Sequence, residues 1–177
     1  ELGRNDAMAL CMAGLTLAFV VKDVRAGAAL TARAVVLNPN LAWALYGDGW
    51  MNVWLGNPDI GIARIGRAME LSPQDPMIFQ MQSAMAHAYF TAGDDSQAWS
   101  WAQVALHDRP DHFPALLAAA ASAVYLGRQT EAEDAMTRLL KVIPGVDLGD
   151  FTTYLPYLRH EDSARWSEGL RKAGLPS

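Results

Sequence analysis

The densest cluster of chemically capable side chains in this 177-residue chain is His107-Asp108-Arg109-Pro110-Asp111-His112. Histidines beside aspartates are the ligand types that hold a divalent metal or relay a proton. Ligands on one helix must recur three or four residues apart on a single face, and this string is broken by a proline that ends a helix. It reads as a solvated loop between helices, and no metal is expected there. The single cysteine, Cys11, lies in an apolar run far along the chain from all four histidines, so a thiol–imidazole pair, a disulfide and a cysteine metal site are all excluded. Residues Gly61 to Gly66 lack the Gly-Lys-Ser/Thr that completes a phosphate loop, and no Gly-x-Ser-x-Gly occurs. The sequence therefore predicts no catalytic residue, no cofactor and no enzyme activity.

The elements that would have to position a site are helical. Ala occurs 30 times against 15 for Val plus Ile, a balance that favours helix over sheet. A net charge of -5 argues against a nucleic-acid face, which needs clustered Lys and Arg. The longest apolar run, Met8 to Val21, is 14 residues, short of the ~20 that span a bilayer. No basic segment leads into it, so a buried helix is the better reading than a signal peptide. The chain reads as soluble and cytoplasmic, with no membrane partner. Opening on Glu1 rather than Met, it reads as a piece of a longer protein.

Helical stretches end at Pro39, Pro73, Pro110 and Pro144, at intervals of 34, 37 and 34 residues. Each unit carries a break in its middle: Lys22-Asp23, Gly56-Asn57-Pro58, Gly93-Asp94-Asp95 and Gly127-Arg128. The unit is thus helix, tight turn, helix, proline turn. Small residues at Gly49, Ala86 and Ala120 would let paired helices approach closely, and Ala68 and Ala105 would admit the next unit. Such a layout at a period of 34 resembles the tetratricopeptide repeat. The expected fold is all-α: a right-handed α-α superhelix of about four helix-turn-helix repeats over residues 1–146 (about 8–41, 42–75, 76–112 and 113–146). A helical cap over 147–177 would hold one helix ending near Tyr157 and another from about Glu161 to Ala173.

A narrower resemblance rests on Met69-Glu70-Leu71-Ser72-Pro73-Gln74-Asp75-Pro76, on Ala84 to Gly93, on Leu126-Gly127-Arg128, and on the terminal Glu168 to Pro176. These strings resemble the C-terminal tetratricopeptide region of bacterial class III adenylate/guanylate cyclase-like proteins, common in alphaproteobacteria. The resemblance implies a regulatory or protein-interaction module behind an output domain that this chain does not contain. Repeats of this kind bind partners in the groove made by the first helix of each unit. With Gly49 at the close-packed position of the second unit, that groove collects Met12 and Phe19, then Trp43, Tyr46, Trp50 and Trp54, then Gln80, Ser83, His87 and Phe90, then Tyr125. The competing register, shifted by two residues, would turn these aromatics into the core. The Lys, Asn and Arg of the family's carboxylate clamp are missing at these places, so chaperone tails are disfavoured and an apolar peptide or helix is favoured. The aromatics could equally be core, or be covered by the chain's own C-terminal segment.

From Met8 to Val21 only Gly14 and Thr16 interrupt the apolar run, so the N-terminal helix has no polar outer face. The exposed side, with Met8, Met12, Leu15 and Phe19, is expected to be covered by a second copy in a homodimer, or by later helices curling round. Three functions fit: a non-catalytic interaction or sensory module, a structural oligomerisation spacer, or a small-molecule or peptide binder using the groove.

Overall fold

The computed structural model describes residues 5–176, with all side chains but those of residues 152 and 153; residues 1–4 and 177, the extremities of the predicted repeat and cap segments, lie outside it. Among the described residues there are ten α-helices and no strand. They are α1 (Ala7–Thr16), continued by a π-helical turn (Leu17–Val21), α2 (Val24–Leu37), α3 (Ala42–Trp54), α4 (Pro58–Leu71) and α5 (Ile78–Ala92). There follow α6 (Asp95–Asp108), α7 (Phe113–Tyr125), α8 (Gln129–Val142), α9 (Leu148–Tyr154) and α10 (His160–Lys172). Helices one to eight stack as antiparallel pairs, and the first helices of successive pairs also touch one another.

Close approach within a pair depends on missing side chains. A Cβ on Gly49 would stand 2.5 Å from Ile65 Cγ1 and 3.3 Å from the Gly61 carbonyl on α4. One on Gly14 would stand 2.8 Å from the Gly27 carbonyl on α2. Gly49 therefore packs inside its own pair, while Gly47 faces Cys11 and Thr31 of the preceding one. That is the first of the two registers, and it points Trp43, Tyr46, Trp50 and Trp54 toward the face lined by the first helices.

The turns inside the pairs are left-handed. Gly56, Gly93 and Gly127 take φ of 84°, 86° and 71°, a region L side chains resist. The first pair has Lys22 at the same place, with φ 67°. Asp23 and Asp94 then cap α2 and α6 through their side chains.

After α8 the chain turns back. The first cap helix ends at Tyr154 rather than near Tyr157 as the sequence suggests. Leu155 precedes Pro156 and is extended (φ -101°, ψ 113°), because proline's ring disfavours helical backbone just before it. Residues 155–159 then cross toward α3, where the Leu158 N–H donates to the Trp54 carbonyl at 2.9 Å. The Arg159 guanidinium donates to the Gly56 carbonyl at 3.0 Å. In α10, Trp166, Gly169 and Leu170 are buried, and Gly169 sits where a Cβ would meet Ala121 of α7 at 3.1 Å. The cap therefore folds across the stack and ties its second pair to its fourth.

Candidate functional site

The face built by α1, α3, α5 and α7 is largely filled by the protein's own cap. Trp166 is fully buried there, stacked on His87 at 4.5 Å between ring centroids and tilted against Phe90 at 4.2 Å. His87 is itself enclosed. Its Nε2–H donates to the Pro114 carbonyl at 2.9 Å, which leaves Nδ1 to accept from the Tyr157 hydroxyl at 3.0 Å. Burial depresses the His87 pKa to about 3 against a weaker pull from the Pro114 carbonyl, so the ring is a neutral strut. Tyr125, 36% exposed, is roofed by the Arg165 guanidinium 4.0 Å from its ring centroid and donates its hydroxyl to the Arg165 carbonyl at 3.1 Å. Arg165 is held in turn by the Asp95 carboxylate.

Of the predicted groove residues, Trp54, His87, Phe90 and Tyr125 thus form the seat of the cap. The sequence predicts partial accessibility for Trp43, Tyr46 and Trp50, but only Trp43 is half-buried, while Tyr46 and Trp50 are 7% and 3% exposed. The cause is local packing. Phe19 meets Trp54 edge-on at 4.7 Å and Trp50 at 6.5 Å, Trp54 stacks on Trp50, and Trp43 meets Tyr46 at 5.2 Å.

What stays open is a channel of about 610 Å³ between the π-helical turn, α3, α5, α7 and the end of α9. Phe19, Tyr46, Trp50, Gln80 and Ser83 are the predicted residues it brings together. Val20, Lys22, His112, Phe113, Pro114, Tyr154 and Leu155 complete the wall, and no pattern in the sequence marks them for it. The sequence places His112 in a solvated loop. Instead it turns in at the start of α7, half-buried, edge-on to Phe79 at 4.9 Å, with Nε2 at 2.9 Å from the Ser83 hydroxyl. Since Ser83 donates to the Gln80 carbonyl at 3.0 Å, His112 is the donor in that pair. Burial, then the Arg109 guanidinium, lowers its pKa to about 4. His107, by contrast, stays exposed on the last turn of α6. Among the described residues no three His, Cys, Asp or Glu side chains converge to hold a metal.

The N-terminal face also differs from the expectation. Met8 and Met12 are 39% and 40% exposed, as an uncovered face requires. Leu15 and Phe19 are half-buried and turn inward: Leu15 lies near Gly47 of α3, and Phe19 packs on the tryptophans. The π-helical turn holds one extra residue, which rotates the chain after Leu17 and brings Phe19 onto α3. The exposed strip continues instead through Val20 and Val21, 73% and 61% exposed. Cys11 is buried, donates to the Trp43 carbonyl at 3.1 Å, and has its pKa pushed up to about 11 by burial and then by Asp48, so it is no nucleophile. No described helix is long and apolar enough to cross a membrane.

Helix pairs stacked with left-handed turns and close-packed small residues define an all-α superhelix of the tetratricopeptide-repeat type. No family model matches the chain, and no curated protein matches it either. Solved structures do. PilW, a widely conserved type IV pilus biogenesis factor, shares 14% identity over 96% of this chain and 78% of its own, with a TM-score of 0.72. TTC0263, a tetratricopeptide-repeat protein of Thermus thermophilus, shares 20% over 94% and 91%, with a TM-score of 0.68. YrrB, a tetratricopeptide-repeat protein with an unusual peptide-binding site, shares 18% over 97% and 86%, with a TM-score of 0.59. At these identities the likeness is one of fold.

Proposed function

We propose that the chain is a non-catalytic protein–protein interaction module that takes an apolar peptide or helix into the open channel. The carrying observation is that, beside the seat of the cap, a channel of about 610 Å³ remains with Phe19, Trp50 and Phe113 as aromatic walls. Gln80, Ser83 and Tyr46 supply the few polar groups that would orient a backbone. The peptide-binding site in the name of YrrB supports the same use of the fold. The terminal strings that resemble the cyclase-like proteins support a place behind a signalling output domain in a cytoplasmic bacterial protein. On this reading residues 1–146 are the four repeats and 147–177 the cap.

A peptide library displayed on phage and selected against the chain tests the proposal. Binders should compete for one site and lose affinity at least tenfold with Val20→Arg, a change at an exposed position that leaves the core alone. Binders that ignore Val20→Arg and Phe113→Ala alike would refute the channel as the docking site. The second reading, a homo-oligomerisation spacer, is favoured by the exposed strip of Met8, Met12, Val20 and Val21 on the first helix of the stack. Light scattering tests it: a dimer that Met12→Lys converts to a monomer supports this reading, and a monomeric wild type refutes it.

A further inference from the structure

A second cavity, of about 360 Å³, lies between α7, α8 and the cap. Its depth is formed by Leu117, Leu139, Phe151 and Leu175, each less than 5% exposed, with Ile143 and Val146 at the sides. The size suits a small ligand and the walls suit an apolar one. Lys22 stands at its edge, reaching over from the turn between α1 and α2. The Lys22 Nζ donates to the Tyr154 carbonyl at 3.1 Å and lies 5.7 Å from the Tyr154 ring centroid. Among the described residues no carboxylate lies within ion-pair distance of it.

An ammonium has three protons to give, and one is used. The acid on the same rim, Asp150, is occupied elsewhere: its carboxylate accepts from the Asp147 N–H at 3.3 Å in the capping box of α9. Lys22 also holds a left-handed backbone where the three later pairs use glycine, a conformation that is harder for lysine. Its pKa is lowered by partial burial, and a neighbouring anion would act against that.

We infer that this cavity binds a small amphiphilic monocarboxylate, with its aliphatic or aromatic body among Leu117, Leu139 and Phe151 and its carboxylate on Lys22. The site does not rest on the peptide channel, although Lys22 lines both and Phe113 and Tyr154, edge-on at 5.0 Å, form a wall common to both.

Titration calorimetry of the full chain with octanoate, octanol and octylamine tests this. Octanoate should bind with one site per chain, octanol more weakly, and octylamine not at all. Lys22→Met should weaken octanoate about tenfold and leave octanol unchanged, and Lys22→Arg should restore most of the loss. Val146→Trp, which fills the cavity, should abolish octanoate binding while peptides selected on the channel still bind. Octylamine binding as tightly as octanoate, no octanoate heat at millimolar concentration, or an affinity indifferent to Lys22→Met would overturn the proposal. Lys22 lines both cavities, so if Val146→Trp fails to fold, Ile143→Trp, at a half-buried position on the wall of this cavity alone, decides the matter: octanoate binding should be lost, and unchanged binding would overturn the proposal.

Discussion

Replacing Trp166 by Ala removes the largest side chain that the cap inserts into the helical stack. The indole is fully buried and meets His87, Phe90, Phe151 and Tyr157, with ring centroids 4.5, 4.2, 6.0 and 5.8 Å away. Truncating a core aromatic to Ala costs about 3–5 kcal/mol, through lost transfer energy and a cavity that only partly collapses. In a chain of this length each kcal/mol moves Tm by about 2–4 °C, so a drop of about 6–20 °C follows. An ordinary solenoid would confine the damage to its last repeat. Here the cap also bonds the Trp54 and Gly56 carbonyls of the second pair and, through Arg165, Asp95 and Tyr125. The whole stack should therefore melt earlier as one transition. Urea and thermal unfolding, followed by circular dichroism and tryptophan fluorescence, read this out. Trp166→Phe, which keeps a ring on His87, should lose well under half as much. A loss below about 1 kcal/mol would refute the reasoning, since it is the size expected away from the core. So would a separate early transition with the repeats melting at the wild-type temperature.

Gly49→Ala should destabilise the fold by about 1–3 kcal/mol, because its Cβ runs into Ile65, whereas Gly66→Ala meets only the Met85 terminal carbon at 3.7 Å and should be neutral or gain up to about 1 kcal/mol. Equal effects in urea unfolding would show that the glycines are not set by the packing within the pair. Stability should also fall on acidification. His87 and His112 stay neutral in the fold down to about pH 3 and 4, while the unfolded chain takes up protons below about 6.5. Each can therefore cost up to about 1.4 kcal/mol per pH unit as the pH drops from 6.5 toward 4. Asp48 and Asp162, whose pKa values burial raises, act in the opposite sense, regaining stability as the pH falls toward the ordinary carboxylate range. A urea midpoint that is flat from pH 7 to 5, or unchanged in slope by His87→Gln, would contradict this account.

Helices, turns and the order of pairing were legible along the chain because each depends on neighbours in sequence. The proline stops, the left-handed Gly56, Gly93 and Gly127, and the small residues at Gly49, Ala86 and Ala120 are local requirements of a two-helix unit, repeated from pair to pair. The direction in which Trp43, Tyr46, Trp50 and Trp54 point was open to two registers in the sequence, and the packing of Gly49 on Ile65 chooses between them. Their exposure was not legible. It depends on Phe19, which a π-helical turn swings onto α3, and on His87, which meets Trp50 at 5.0 Å and is itself closed in by Trp166 and Tyr157 of the C-terminal tail. No periodicity encodes where a non-repeating tail will lie. That path is decided by which buried surface the cap can cover, and here it is the aromatic face around His87. The same path brings Tyr154 to Lys22, where it forms part of the wall of both cavities.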